Sequence, residues 1–254
     1  MAAMLPAPRA LLLDFGGVLA DAPTQPPAPP ELVARLHEVT GGAVPADRIA
    51  GDLGAGSRAY AAWRDGAGNT EVSVEVGHAQ MWRDFVTAGW PPAAREAVQR
   101  EASPLAYALT WRAEWAVRPG IPAALRAAVA AGLPLAVVSN TLCGAAHRDF
   151  LAQAGLADLF TAQFYSDEAG PRKPNPELAR MAARAVGVPV GECWFVGDSV
   201  QRDVVCARRA GAAAVVLMRS PRTDRERPVP EVAPDARIED GHGLLELLNR
   251  ALAG

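Results

Sequence analysis

The sequence predicts an α/β protein: a parallel-sheet core carrying an inserted, all-helical cap. Three observations predict it. Four short apolar runs each stop abruptly at a polar or glycine-containing turn; helical patterns follow the second and third runs; and the stretch 14–134, between the first two, is far longer than a strand-to-strand crossover.

The runs are Ala10 to Leu13 before Asp14, Leu135 to Val138 before Ser139, Cys193 to Val196 before Gly197-Asp198, and Ala213 to Met218 before Arg219. Each has the length and continuity of a strand buried on both faces. The proline-rich stretch Pro23 to Pro30 reads as the hinge into the insert, and Val117-Arg118-Pro119-Gly120 as the hinge out. Inside it the patterns are helical: Glu31 to Val39 between a proline pair and Gly41-Gly42, Ile49 to Arg64 with glycine breaks, Val74 to Ala88 after a capping Ser73, Ala93 to Glu101, and Pro104 to Trp115. The expected division is a Rossmann-like core of residues 1–20 and 117–254 and a helical cap of residues 21–116.

With 254 residues, half of them apolar, the chain can bury a sizeable core. A net charge of −3 gives no electrostatic case for nucleic acid or an anionic membrane as partner. The three cysteines, Cys143, Cys193 and Cys206, are too widely spaced for a disulfide framework or a zinc motif, so a reducing cytoplasm is the expected setting. The N-terminal apolar run stops at Asp14, too short for a secretory signal or a membrane span. Of the 25 basic residues, 24 are arginine and one, Lys173, is lysine.

In an open α/β sheet, ligands sit beyond the carboxyl ends of the strands. Those positions hold Asp14, Ser139-Asn140 and Asp198, with Asp203 five residues further on. Singly, an aspartate after a strand also reads as a helix cap or a turn residue. Three carboxylates at one sheet edge, however, repel one another unless a cation lies between them, and a hard divalent ion such as Mg²⁺ suits an all-oxygen donor set.

The joint pattern resembles the haloacid dehalogenase superfamily of hydrolases, in the branch with a helical cap. The residues that carry the likeness are Leu12-Leu13-Asp14-Phe15-Gly16-Gly17-Val18-Leu19, Val137-Val138-Ser139-Asn140, Gly170-Pro171-Arg172-Lys173-Pro174-Asn175-Pro176, and Phe195-Val196-Gly197-Asp198-Ser199-Val200-Gln201-Arg202-Asp203. The resemblance implies a phosphatase acting on a small phosphorylated metabolite. Asp14 would be the nucleophile that forms an aspartyl-phosphate, Ser139, Asn140 and Lys173 would bind the phosphoryl group, and Asp14, the Gly16 carbonyl, Asp198 and Asp203 would hold Mg²⁺. Lys173 would contact both Asp14 and the transferring group.

The sequence departs from that pattern at Gly16, where most phosphatases of the family carry an acid that protonates the leaving group. Such a group contributes ~10²- to 10⁴-fold in rate. Three readings stay open: a substrate whose leaving group needs little protonation, a substitute acid among Asp21, Glu75 and His78, or a catalytically silent binding protein of the same fold. Hydrolytic dehalogenases also lack that acid, but they usually lack the acidic pair that Asp198 and Asp203 supply here. Phosphonate-cleaving relatives need a cap lysine, and this insert has none. Five of the six tryptophans lie in the insert, where the stripe Met81, Trp82, Phe85, Val86 and the pair Trp111 and Trp115 read as its core.

Overall fold

A computed structural model describes residues 5–22, 28–66, 70–227, 229–230 and 232–253. Strand β1 (Ala10–Leu13) is wholly buried, and its side chains alternate between two apolar layers. Leu11 and Leu13 enter one, Ala10 and Leu12 the other. The two-residue strand β2 (Ala20–Asp21) pairs antiparallel with β3 (Ala116–Val117), Ala20 opposite Val117 and Asp21 opposite Ala116. The outgoing and returning chains of the insert therefore lie side by side.

Between them run α1 (Pro30–Val39), α2 (Ala46–Asp65), α3 (His78–Met81), which continues into a π-helical turn at Trp82–Val86, α4 (Pro92–Arg100) and α5 (Ala102–Thr110). These helices bury a cluster that includes Leu36, Leu53, Trp82 and Val98. After β3 the chain continues through α6 (Ile121–Ala130), β4 (Leu135–Ser139), α7 (Gly144–Gln153), β5 (Ala162–Tyr165), α8 (Ser166–Ala169), α9 (Glu177–Ala185) and β6 (Cys193–Gly197). A π-helical turn at Val200–Val204 leads into α10 (Val205–Ala210), then β7 (Ala214–Met218), β8 (Ala236–Ile238) and α11 (Gly241–Leu252).

Six strands form one parallel sheet in the order β5-β4-β1-β6-β7-β8. Leu13 is level with Val137 on one side and Val196 on the other. The residues that follow these strands thus emerge at one edge, where the chain order reverses and a crevice opens. Among the described residues no helix is long and apolar enough to cross a membrane.

The structure corrects the sequence reading in several places. Helix α2 runs unbroken through its glycines, because Gly56 is a contact point: a Cβ there would stand 2.4 Å from the Phe85 carbonyl oxygen. Val74 begins no helix. It forms a β-bridge with Pro171, and the hydroxyl of Ser73 accepts the amide of Thr70, so the helical stretch starts only at His78. Helix α5 stops at Thr110, and Trp111 and Trp115, 5.7 Å apart edge to face, pack against the sheet-side cluster instead of the insert's own core. Strands β5 and β8 lie at the sheet edges, are only partly buried, and therefore lack an unbroken apolar run. Of the proline-rich stretch, residues 23–27 lie outside the described residues, and Pro30 opens α1.

Candidate active site

Asp14 is the first residue beyond β1, and its amide donates to the Val196 carbonyl at 2.9 Å. The ladder to β6 thus holds the backbone up to the point where the carboxylate leaves the sheet. The chain then turns tightly, the amides of Leu19 and Ala20 both reaching the Phe15 carbonyl, at 2.8 and 3.0 Å. Gly17 is required here on two counts: its φ is +76°, and a Cβ would stand 2.2 Å from Asp198 Oδ2. The buried guanidinium of Arg118 fixes this turn, Nη1 donating to Gly17 O at 2.7 Å while Nη2 donates to Arg219 O and Glu239 O at 2.8 and 2.7 Å.

Asp198 follows β6 directly. Its Oδ2 accepts from Ser220 Oγ at 2.6 Å and lies 3.7 Å from Arg222 Nε, and its carbonyl accepts from Thr223 Oγ1 at 2.5 Å. Asp203 lies in the following π-helical turn, so close to Gly197 that a Cβ on the glycine would come within 2.2 Å of Asp203 Cβ. Asp203 Oδ2 accepts the amides of Asp198 and Ser199, both at 3.0 Å. Asp14, Asp198 and Asp203 each bring a carboxylate oxygen within 4.8 Å of the other two, and all three residues are buried.

Lys173 reaches into this trio from the loop between α8 and α9. Its Nζ stands 2.8 Å from Asp14 Oδ1 and 2.7 Å from Asp203 Oδ1, and donates to Val138 O at 2.7 Å. Burial works to lower the lysine's pKa, but the two facing carboxylates hold it above the ordinary value. Burial pushes Asp198 up to about 7, with Arg222 opposing and the Asp14 and Asp203 charges adding. Burial likewise raises Asp203, against the pull of Lys173. One ammonium therefore serves two of the three carboxylates, the third faces Arg222 at 3.7 Å, and Asp198 Oδ1 is buried with no hydrogen-bond partner. That orphaned oxygen, within an all-oxygen donor set, fits a hard divalent cation. Asp14 and Asp198 have oxygens to offer it, while Asp203 Oδ2 is taken by two backbone amides and its Oδ1 faces Lys173 Nζ as an ion pair.

The other sequence-predicted residues divide. Ser139 ends β4, buried, at the same sheet edge. Asn140 follows it, but its side chain is committed to the backbone of Lys173, so its own amide N–H is what remains for an anion. Gly16 has open space where a side chain would stand. None of the three substitute acids is free. Asp21 sits on the insert's ribbon, half exposed and 3.2 Å from Arg118 Nη1. Glu75 is buried as an acceptor for Tyr60 at 3.0 Å, Ser166 at 2.8 Å and Arg172 at 2.9 Å. His78 pairs through Nδ1 with Ser103 at 2.9 Å and lies beside Asp167 and Cys143, which hold its pKa up at about 10.

Sequence reasoning missed the support around the site. Besides Arg118, it passed over Ser220, Arg222 and Thr223 on the connection from β7 to β8, and Glu226, which accepts from Ser199 Oγ at 2.5 Å and the Val200 amide at 2.7 Å. The segment 219–227 carries no periodicity and no apolar run that would signal its place against Asp198.

Comparisons with known proteins identify the family. The model of the haloacid dehalogenase-like hydrolases matches residues 8–211. The chain belongs to that family. A phosphoserine phosphatase from Thermus thermophilus is 35% identical over 186 residues, which are 65% of this chain and 73% of that protein. A glyceraldehyde 3-phosphate phosphatase from Methanopyrus kandleri is 34% identical over 98 residues, 39% of this chain and 42% of that protein. Among solved structures, the hydrolase YfnB from Bacillus subtilis, bound to magnesium, superposes with a TM-score of 0.60 at 18% identity, covering 96% of this chain and 99% of its own. A 2-haloacid dehalogenase from Pseudomonas syringae gives a TM-score of 0.63 at 19% identity, covering 95% and 98%. At such identities the structural likeness speaks for the fold of this hydrolase.

Proposed function

We propose that this hydrolase is a Mg²⁺-dependent phosphatase of a small phosphorylated metabolite, acting through an aspartyl-phosphate on Asp14. One observation carries the reading: a buried trio of carboxylates in which Lys173 bridges Asp14 and Asp203 and Asp198 Oδ1 is left without a partner. The named phosphatases among the relatives support it. Bound Mg²⁺ would neutralise charge on the phosphoryl oxygens and the carboxylates.

The chain's own residues do the rest. One carboxylate oxygen of Asp14 attacks phosphorus while the other is left for the cation; the new O–P bond forms as the ester O–P bond breaks, and the leaving oxygen takes the electron pair. Lys173 holds Asp14 in place and offsets its charge, because a carboxylate approaches a phosphate dianion poorly without it. The Ser139 hydroxyl and the amide of Asn140 donate to phosphoryl oxygens. Water then attacks the phosphorus of the aspartyl-phosphate, which restores Asp14 and releases inorganic phosphate. The segment 21–116 acts as the cap, opening for substrate and excluding water when closed.

Gly16 shapes the substrate. Asp21, Glu75 and His78 are all paired, so none of these three candidate acids is poised to protonate the leaving group. The proposed substrate therefore has a leaving group stable as an anion, such as an acyl phosphate or an anomeric sugar phosphate. The test is a panel of phosphate esters graded by leaving-group acidity. Phosphate release that needs Mg²⁺, vanishes in Asp14→Asn, and climbs steeply with leaving-group acidity is the expected result. Gly16→Asp, for which there is space, should raise turnover of alkyl phosphates by about 10²-fold or more and flatten that dependence. Wild-type protein inert towards the whole panel, or unaffected by chelator, would overturn the proposal.

A further inference from the structure

A second cluster of ligating side chains stands apart from the aspartate trio. His78 opens α3 in the insert, Cys143 precedes α7, and Asp167 lies in α8, and one ligating atom from each falls within 4.8 Å of the other two. Cys143 and the Asp167 side chain are buried, and His78 is mostly so. His78 Nε2 and Asp167 Oδ2 are 3.4 Å apart. That is longer than an N–H···O hydrogen bond, and both His78 Nε2 and Asp167 Oδ1 are buried without a hydrogen-bond partner. Yet 3.4 Å suits two ligands of one tetrahedral ion, since bonds of about 2.0–2.2 Å to nitrogen and oxygen separate such ligands by about 3.3–3.6 Å.

Their surroundings are those of ligands held in place. Nδ1 of His78 faces Ser103 Oγ at 2.9 Å; with the proton on Nδ1 kept there by donation to Ser103, Nε2 presents its lone pair to the cluster once a metal displaces the proton it carries. Asp167 Oδ2 accepts the Gly144 amide at 3.0 Å, which orients the carboxylate. The donor set of imidazole nitrogen, thiolate sulfur and carboxylate oxygen is unlike the all-oxygen trio and suits a borderline-soft ion.

We propose that His78, Cys143 and Asp167 form a zinc site with three protein ligands and a fourth position for water, joining the inserted helices to the core. Binding releases the thiol proton and any proton on Nε2, and no redox step is involved. Because its ligands come from both sides of the junction, an occupied site staples the insert to the core. The spacing 78, 143 and 167 hides it from any sequence motif for zinc.

Co²⁺ titrated into the protein in excess Mg²⁺, which occupies the oxygen-only trio, tests the proposal. The expected result is a thiolate-to-cobalt absorption band that saturates at one equivalent, is displaced by Zn²⁺, and is absent from Cys143→Ser and reduced at least tenfold in His78→Ala. Zinc should also raise the melting temperature of the wild type, as a ligand of the folded state must. Circular dichroism establishes that each variant folds; if Cys143→Ser does not, His78→Ala makes the assignment, and the wild-type spectrum decides whether the site exists. A wild type with no thiolate band, or a band that survives in the folded variants, overturns the proposal.

Discussion

The side-chain amide of Asn140 and the backbone of Lys173 exchange two hydrogen bonds of 2.8 Å, one in each direction. The residue that follows β4 thereby fixes where the lysine enters the carboxylate trio. Asn140→Ala leaves that backbone unpaired, at a cost of about 1–3 kcal/mol for a buried group. It also frees Nζ to drift from Asp14. A fall in kcat of about 10- to 100-fold with a smaller change in KM is expected in steady-state assays with a phosphate ester. An unchanged kcat would show that the clamp does not position Lys173 for turnover.

Lys173→Arg keeps the charge and should still lower kcat/KM by about 10²-fold or more. The ammonium satisfies Asp14, Asp203 and the Val138 carbonyl at 2.7–2.8 Å from one buried nitrogen. A planar guanidinium spreads its donors over a wider fork and cannot meet three such acceptors converging on a point. Melting curves of the variant separate this local misfit from global unfolding, and wild-type turnover would sink the argument.

The strands that place these residues were legible because β1, β4, β6 and β7 are covered on both faces and so read as pure apolar runs ending at Asp14, Ser139, Asp198 and Arg219. The edge strands β5 and β8 were not, because partial exposure admits residues such as Gln163 and Arg237. Within the site, the side chains at strand ends announce themselves by position. Their supports do not: Arg118 joins loops beside β1, β7 and β8 through backbone carbonyls, a role without any sequence signature. The pairing of Glu75 is hidden from the sequence for a related reason. Its burial comes from Tyr60, Ser166 and Arg172, which tertiary packing alone brings to it.

Glu75→Gln should destabilise the protein by about 3–5 kcal/mol in urea unfolding, the scale for removing one partner of a buried ion pair. Arg172 is fully buried, and the carboxylate it faces also accepts from Tyr60, Ser166 and the Val76 amide. A neutral amide has one acceptor oxygen, and in either orientation its NH₂ end meets an obligate N–H donor, Val76 or Arg172. Loss of less than about 1 kcal/mol would show that the network rearranges around the amide and that the pair contributes little to joining insert and core.

His147 supplies the pH test. Its ring stacks 3.8 Å from that of Phe15, the neighbour of Asp14, and Nδ1 is buried without a partner. Burial pushes its pKa down to about 3. In the unfolded chain it titrates near the ordinary value of about 6.5. Below that value the unfolded state takes up a proton that the folded state refuses. The stability tied to neutral His147 is therefore fully present above about pH 6.5 and is lost on acidification towards pH 3, by up to about 1.4 kcal/mol per pH unit. His147→Phe removes the titration, so between pH 7 and 5 the wild type should lose about 2 kcal/mol more unfolding free energy than the variant. Other groups that titrate in this window, Asp198 among them, are common to both proteins and cancel in the difference. Equal slopes for the two proteins would show that the ring is protonated in the folded state.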